Sequence, residues 1–408
     1  MELQIDMIFS TSVCFCLTRV PAEKLVSVRR PFSIAGAWML FLATAIAPQV
    51  WAVQEEPDAE ALVRQLGHDQ FSVREKAAEA LIARGPSALA AVEAGTRHVD
   101  REIRYRCERI LAIIRKTDFQ RRLAAFASDP SGDNDYGLPG WQLFRSEFGQ
   151  SATARQFFVE MLRAEPTLFQ TLPVGAKAVA EAIEVRVWEL QQQPVQLAGE
   201  PPPLESLTAL LFLMSLPEVQ LSDGAATFIL NQCFQGHFDK ALHEGASRNL
   251  VRQLLAKVIA QSQDWPAYTA IRLALRYDMA EGLRPAERLL RGGPNASLVY
   301  IRQFALLAIG RFGDRSATDL LEPLLEDPTP CVPGQVGAQT AQETQLRDVA
   351  LAVLWKLHGE DPRRHGFTRL QDDPQLGFHP ATLGFTSDRE RQAALQEWRA
   401  YRAGQQRR

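Results

Sequence analysis

One helical stripe recurs along the chain and limits the possible folds more than any other feature. Four segments carry it: Val73-Arg74, Ala77, Ala80, Leu81; Ile103-Arg104, Cys107, Ile110, Leu111; Ile301-Arg302, Ala305, Ala308, Ile309; and Leu346-Arg347, Ala350, Val353, Leu354. Val251-Arg252, Leu255, Val258 and Ile259 form a weaker fifth copy. Apolar residues at i, i+4, i+7 and i+8 fall on one side of a helix with 3.6 residues per turn. Each segment is therefore an amphipathic helix that must bury its stripe against a neighbour. The small residue at i+4 admits a close helix. The arginine after the first apolar position sits at the edge of the stripe, where its stem packs and its head is expected to stay in water. No alternating run long enough for a strand occurs, so the chain is expected to be all-α.

Helix punctuation points the same way. Gly67 before Asp69 separates two helices, Gly85-Pro86 closes one helix and opens the next, and Asp100 offers a carboxylate cap to a helix from Arg101 to Arg115. Gly313-Asp314 ends a later helix, and Ser387 with Glu390 forms a capping box before Ala394, Leu395, Trp398 and Tyr401. Between them, Ala152 to Ala164, Leu172 to Gln193, Leu204 to Leu216 and Asp223 to Phe234 keep helical spacing, broken by Pro166, Pro194 to Pro203 and Pro217. Loops are expected at Asp129 to Gly140, Gln191 to Pro203 and Asp327 to Glu343.

The last two clear copies lie 45 residues apart and the first two 30 apart. In these positions the chain resembles the HEAT-repeat family, and in particular the HEAT-like repeats of exported bacterial proteins, over Ala59 to Lys116 and again over Pro285 to Gly359. The resemblance implies a HEAT-like α-α solenoid, a right-handed stack of antiparallel helix pairs that works as a scaffold or binding surface. The chain divides accordingly into a leader (1–52), N-terminal HEAT-like repeats (53–118), an irregular helical region (119–243), C-terminal HEAT-like repeats (244–360), and a loop with a C-terminal capping helix (361–408).

The leader carries Arg29-Arg30-Pro31-Phe32, an apolar run from Ile34 to Ala47, and Val50-Trp51-Ala52, the order of a secretory signal. The run is shorter than the roughly 20 residues a membrane span needs. Cleavage near Ala52 and an extracytoplasmic mature chain, periplasmic or secreted, are therefore expected, with an uncleaved anchor as the alternative. Removing residues 1–52 leaves 41 basic and 45 acidic residues, a net charge of −4 that disfavours a nucleic-acid partner. Cys107, Cys233 and Cys331 are odd in number and widely spaced, and no CxxC or His/Cys pairing at zinc spacing occurs. No essential disulfide, metal or cofactor is expected.

Several groups carry candidate chemistry. Asp129, Ser131, Asp133 and Asp135 begin like a calcium loop, but Asn134 stands where the glycine belongs and Gly140 where the glutamate belongs. Beside them, Trp141 and Phe144 are candidates for a loop anchor or a partner contact. His358, Asp361, His365 and His379 supply imidazoles and a carboxylate. Their spacing matches no catalytic or metal motif, and a capping role for His358 as a cation at a helix end is the simpler reading. From Arg97 to Arg122 nine Lys or Arg face four acidic residues. A solvated face is the first reading, and a site for an acidic peptide or polysaccharide the second. The Asp327 to Glu343 insertion holds Pro328, Pro330 and Pro333, and Cys331 with a thiol expected at the surface; Pro330, Cys331 and Pro333 are candidate partner contacts. The function expected is an exported non-enzymatic scaffold or protein-interaction module with a protein partner. The alternative is an enzyme or ligand-binding protein with a site near His358 to His379.

Overall fold

Two helix pairs open the fold, each built on one copy of the repeated stripe. The computed structural model describes residues 58–129, 131–192, 201–292, 298–332 and 343–406; the signal segment Arg29 to Ala52, Pro194 and Pro333 lie outside the described residues. Helices α1 (Ala59–Gln65) and α2 (Phe71–Arg84) form the first pair, and α3 (Leu89–Gly95) with α4 (Arg101–Ser128) the second. Asp58 and Asp100 cap α1 and α4 by accepting from the backbone N–H groups of Ala61 and Glu102. Ala77, Leu81, Ile103, Cys107 and Ile110 are buried together with Leu62, Val63 and Val92. Each large side chain of that set stabilises the fold by about 1.5–3 kcal/mol through burial. Within the second pair α3 and α4 come close at Gly95, where a Cβ would stand 2.4 Å from Cys107 Sγ, and Val63 of α1 would be 3.0 Å from the same point.

The repeat arginines do not keep their heads in water. Arg74 Nη1 donates to the backbone oxygens of His68 (2.7 Å) and Asp69 (3.0 Å), and Arg104 Nη1 donates to those of His98 (2.7 Å) and Val99 (2.9 Å). In the same two turns His68 Nδ1 accepts from Gln70 N–H and His98 Nδ1 accepts from Asp100 N–H, both at 3.0 Å. Each arginine thus clamps the turn that leads into its own helix. The helix ends leave carbonyls without intrahelical partners, and a guanidinium at the stripe's edge reaches them. Arg252 does the same for Tyr277 and Asp278 at the end of a later helix.

Helix α4 runs well past Arg115. Ile103 to Ile114 lie in the N-terminal core, whereas Phe119, Leu123 and Phe126 lie in the next one. The expected boundary between 118 and 119 therefore falls inside one continuous helix.

The rest of the chain is α5 (Trp141–Phe148), α6 (Ala152–Ala164), the single turn α7 (Pro166–Phe169), α8 (Ala176–Gln191), α9 (Leu204–Met214), α10 (Asp223–Gln232), α11 (Gly236–His243), α12 (Arg248–Gln261), α13 (Asp264–Tyr277), α14 (Leu283–Leu290), α15 (Val299–Phe312), the single turn α16 (Thr318–Leu321), α17 (Leu346–Leu357) and α18 (Asp388–Gln406). Helices α6, α9, α12 and α14 pack on one another in succession, and α8, α10, α13, α15 and α17 form a second such row. The rows meet where α9 packs on α10, α12 on α13 and α14 on α15. Of the helices in 119–243, α6, α8, α9 and α10 belong to these rows, and α5, α7 and α11 lie outside them. Helix α13 joins two cores, with Ala270 and Ala274 in one and Ile271 and Leu275 in the other. The stripes of α15 and α17 are fully buried, and at Gly310 a Cβ would stand 3.0 Å from Val353.

The described residues are all-α in class, as expected, with two short antiparallel ladders beside the helices: β1 (Pro330–Val332) with β2 (Thr344–Gln345), and β3 (Asp372–Asp373) with β4 (Gly377–Phe378). They are too short to show alternation in a sequence, and they close loops without building a sheet. The C-terminal helix α18 buries Ala394, Leu395 and Trp398 against the last core. Ser387 Oγ accepts from Glu390 N–H, while the Glu390 carboxylate reaches Thr386 N–H instead of closing the box on Ser387. Among the described residues no helix is long and apolar enough to cross a membrane.

Candidate functional site

Trp141 and Phe144 are the first candidates the structure corrects. Both are wholly buried, in a nest where Trp141 meets Phe126 edge-on at 4.8 Å and lies 5.2 Å from Phe158, and Phe144 meets Phe212 at 5.5 Å. Side chains this large have no surface left for a partner, so they anchor the loop. The loop's carboxylates serve its own backbone. Asp129 accepts from Ser131 N–H and Oγ–H and from the Tyr136 hydroxyl, and Asp135 accepts from Gly137 N–H and the Gln142 amide. These hydrogen bonds, to Ser131 and to Gly137 foremost, hold both carboxyls below the usual carboxylate range.

The base of the 327–343 insertion is built from the α15 repeat arginine. Arg302 Nη1 lies 2.5 Å from Asp327 Oδ2, whose other oxygen accepts from Thr329 N–H at 3.0 Å. The Asp327 and Thr329 carbonyls in turn accept from Arg347 N–H and Leu346 N–H, tying the base to the start of α17. Cys331, expected at the surface, is 8% exposed. Burial pushes its thiol up to about 12, with Asp348 and Asp327 adding to the shift, so it is neither an exposed nucleophile nor a partner contact. Pro330 is exposed beside it.

The histidines near the C-terminus do not converge. His358 caps α17, is 7% exposed, and has Nε2 3.0 Å from Thr318 Oγ1, while its carbonyl accepts from Arg315. Burial, with Arg315 and Arg402 nearby, holds its imidazole below the usual value. It is therefore a neutral core histidine at a helix end, not the dipole-stabilised cation expected. His365 lies flat on Trp355, with ring centroids 3.6 Å apart, and its Nδ1 is 2.8 Å from Glu397 Oε1. His379 is exposed on the β3–β4 segment. His358, against Trp398 and Tyr401, and His365, against Glu397, help seat α18, whose Trp398 meets Trp355 edge-on at 4.9 Å. Among the described residues no group of three or more His, Cys, Asp or Glu is placed to hold a metal ion.

The basic segment is the one candidate that the structure sharpens. Arg104 is committed to its turn. Arg106 is bound to Glu75 (2.7 Å) and Glu102 (2.6 Å), Arg115 to Glu93, and Arg121 and Arg122 to Asp118. Arg101, Arg109 and Lys116 are exposed and make no ion pair with another described residue. At 100° per residue these three lie on the side of α4 opposite Ile103, Cys107, Ile110 and Ile114. Tyr105, 55% exposed, stands between Arg101 and Arg109, and the Arg109 guanidinium is 5.7 Å from its ring centre. Ala112 is exposed on the same line, and Ile113, 41% exposed, is at its edge. Counting arginines around a wheel hides this stripe. Arg104 and Arg106 belong to intramolecular contacts, and only their removal from the count leaves one line.

Clefts elsewhere offer less. One of about 380 Å³ lies between the α9–α10 connection and the start of α13, edged by Asp223 and Asp264. Both acids occupy first turns of helices, where the helix dipole stabilises them.

Set against known protein families, curated proteins and solved structures, the chain matches none.

Proposed function

We propose that the chain is an exported, non-enzymatic scaffold of HEAT-like repeats that offers helix faces to a protein partner. The observation that supports this reading is the recurrence of one amphipathic helical stripe along the chain. From α6 to α17 helices pack in two adjoining rows, and before them the same His and Arg clamp occurs in the α1–α2 and α3–α4 turns. Such an array has its stability in contacts between neighbours, and it leaves long outer faces free for recognition. On this reading the rows form a solenoid and α18 is its terminal cap, since an end unit must cover the apolar face that a missing neighbour would have covered. Export rests on the Arg29 to Ala52 pattern.

Crosslinking in the native envelope, followed by mass spectrometry, tests both parts. A recurrent protein partner and a mature chain beginning at or near Val53 are the results expected. A chain that begins before Arg29 and sits in the cytoplasmic fraction overturns export. A protein that crosslinks to nothing and turns over a small substrate overturns the scaffold.

A further inference from the structure

We propose that the outer stripe of α4, formed by Arg101, Tyr105, Arg109 and Lys116, docks an acidic amphipathic helix of the partner protein. The inference rests on the scaffold reading and names the chemistry of what is bound.

Three features argue for it. First, the three cations face no carboxylate among the described residues. Their neighbours Arg104, Arg106 and Arg115 are held by carbonyls or carboxylates of this chain, whereas Arg101, Arg109 and Lys116 have no ion partner among the described residues. Second, their spacing is regular. Arg109 is eight residues after Arg101 and Lys116 seven after Arg109, so the charges stand about two helical turns apart over about 22 Å. Third, apolar surface fills the gaps. Tyr105 sits between the first two cations, and Ala112 with Ile113 between the second two. Four of the exposed large apolar side chains belong to the first two helix pairs: Phe71 on α2, Val99 in the α3–α4 turn, and Tyr105 and Ile113 on α4.

A helix with carboxylates two turns apart and apolar residues midway matches this alternation at every step. Each carboxylate meets a guanidinium or ammonium, and each apolar side chain meets Tyr105 or Ile113. A continuous polyanion fits less well. Glu108 is exposed on the flank of the same stripe, and a charge at every step of a polymer would be forced against it. The aromatic and aliphatic groups would also find nothing to bury. Charge complementarity and the apolar gaps together select a patterned protein helix.

The probe is a synthetic alanine-based helix bearing glutamates two turns apart with leucines midway, labelled and titrated with the full chain by fluorescence anisotropy at low salt. A scrambled peptide of the same composition and a sulfated polysaccharide are the comparisons. The patterned peptide should bind, and the combined variant Arg101→Gln/Arg109→Gln/Lys116→Gln should weaken it by about tenfold or more while circular dichroism and melting stay unchanged. Tyr105→Ala should weaken the patterned peptide more than the scrambled one. Equal binding by the triple variant overturns the proposal. So does polysaccharide binding as tight as that of the peptide with no effect of Tyr105→Ala, since that pattern belongs to an unspecific cationic patch. Envelope crosslinks separate the two levels of inference. Crosslinks that survive the triple variant unchanged sink the α4 assignment and leave the scaffold standing; a lack of any protein crosslink removes the scaffold itself.

Discussion

Replacing Arg391 with methionine should loosen α18 from α17 at neutral pH. The two side chains of the pair are almost sealed from water, with Arg391 5% and Asp348 1% exposed. Arg391 Nε lies 2.7 Å from Asp348 Oδ1, and Nη2 lies 3.2 Å from Oδ2 and 3.1 Å from the Glu343 carbonyl. Among the described residues, the one donor to Asp348 Oδ2 besides Arg391 is the Gln345 N–H, at 2.9 Å. Methionine keeps most of the stem and removes the charge. The variant therefore buries a carboxylate stabilised by one backbone donor and by the nearby Arg347 charge. Removing one partner of such a pair costs about 3–5 kcal/mol, since the remaining charge keeps its desolvation penalty.

The pH dependence follows from the same geometry. Burial raises the Asp348 carboxyl above the usual carboxylate range even with Arg391 against it. The folded chain thus binds that proton more tightly than the unfolded chain, and this group's contribution to stability falls as pH rises between the unfolded and folded values. Without Arg391 the window extends upward, so the variant's deficit should be largest at neutral pH and should shrink on acidification. Urea unfolding at about pH 7 and about pH 5, with hydrogen exchange read over 388–406, measures both effects. Adding Asp348→Asn should recover much of the loss, because the buried charge is then gone. A single variant as stable as the parent, or a double variant equal to the sum of the two single changes, would refute the reasoning.

Three further outcomes are expected. Arg104→Ala should cost about 1–3 kcal/mol in urea unfolding, since two backbone carbonyls lose a charged donor, whereas Arg101→Ala should stay within about 0.5 kcal/mol; equal losses would deny the clamp. Cys331 should resist alkylation in the folded chain and react once the chain is unfolded, and rapid native labelling would contradict its burial. His358 is held below its usual value in the fold, so the unfolded chain takes up its proton first. Parent stability should fall as pH drops below about 6.5, the ordinary imidazole value, and His358→Gln should flatten that part of the melting profile; an unchanged slope would place the titration elsewhere.

The elements were legible where apolar spacing and a cap agree. Ala152 to Ala164 begins and ends where its spacing says, after the Ser151 cap, because nothing in the tertiary fold overrides the local pattern. Arg101 to Ser128 is longer than its reading because its buried side changes partner midway. Ile114 completes one stripe and Phe119 begins another, and a reading anchored on the first stripe stops at the change. Trp141 and Phe144 illustrate a different limit. Aromatic residues beside a polar loop suit an exposed platform and a buried anchor equally well, and only Phe126, Phe158 and Phe212, remote in sequence, decide between them.

The arginines show what a composition count conceals. The excess of positive charge between Arg97 and Arg122 is visible in the sequence, but its meaning depends on which heads are already occupied. One signal for that sorting was present. His68, Gln70, Val73 and Arg74 stand in the same order and spacing as His98, Asp100, Ile103 and Arg104, offset by 30 residues. A histidine and an arginine repeated together around a helix start imply a shared turn, since the imidazole nitrogen can accept the N–H two residues on and the guanidinium can return to the carbonyls it leaves exposed. Read that way, Arg104 is removed from the free charge before any coordinates are known. Glu102 stands four residues before Arg106 on the same helix, a spacing that removes Arg106 as well. What is left between Ile103 and Lys116 is Arg109, Arg115 and Lys116, and Arg115 is removed only by the fold, which brings Glu93 of α3 to it. Following the line of Arg109 and Lys116 back through Tyr105 to Arg101 leads to the face of α4 where recognition is proposed.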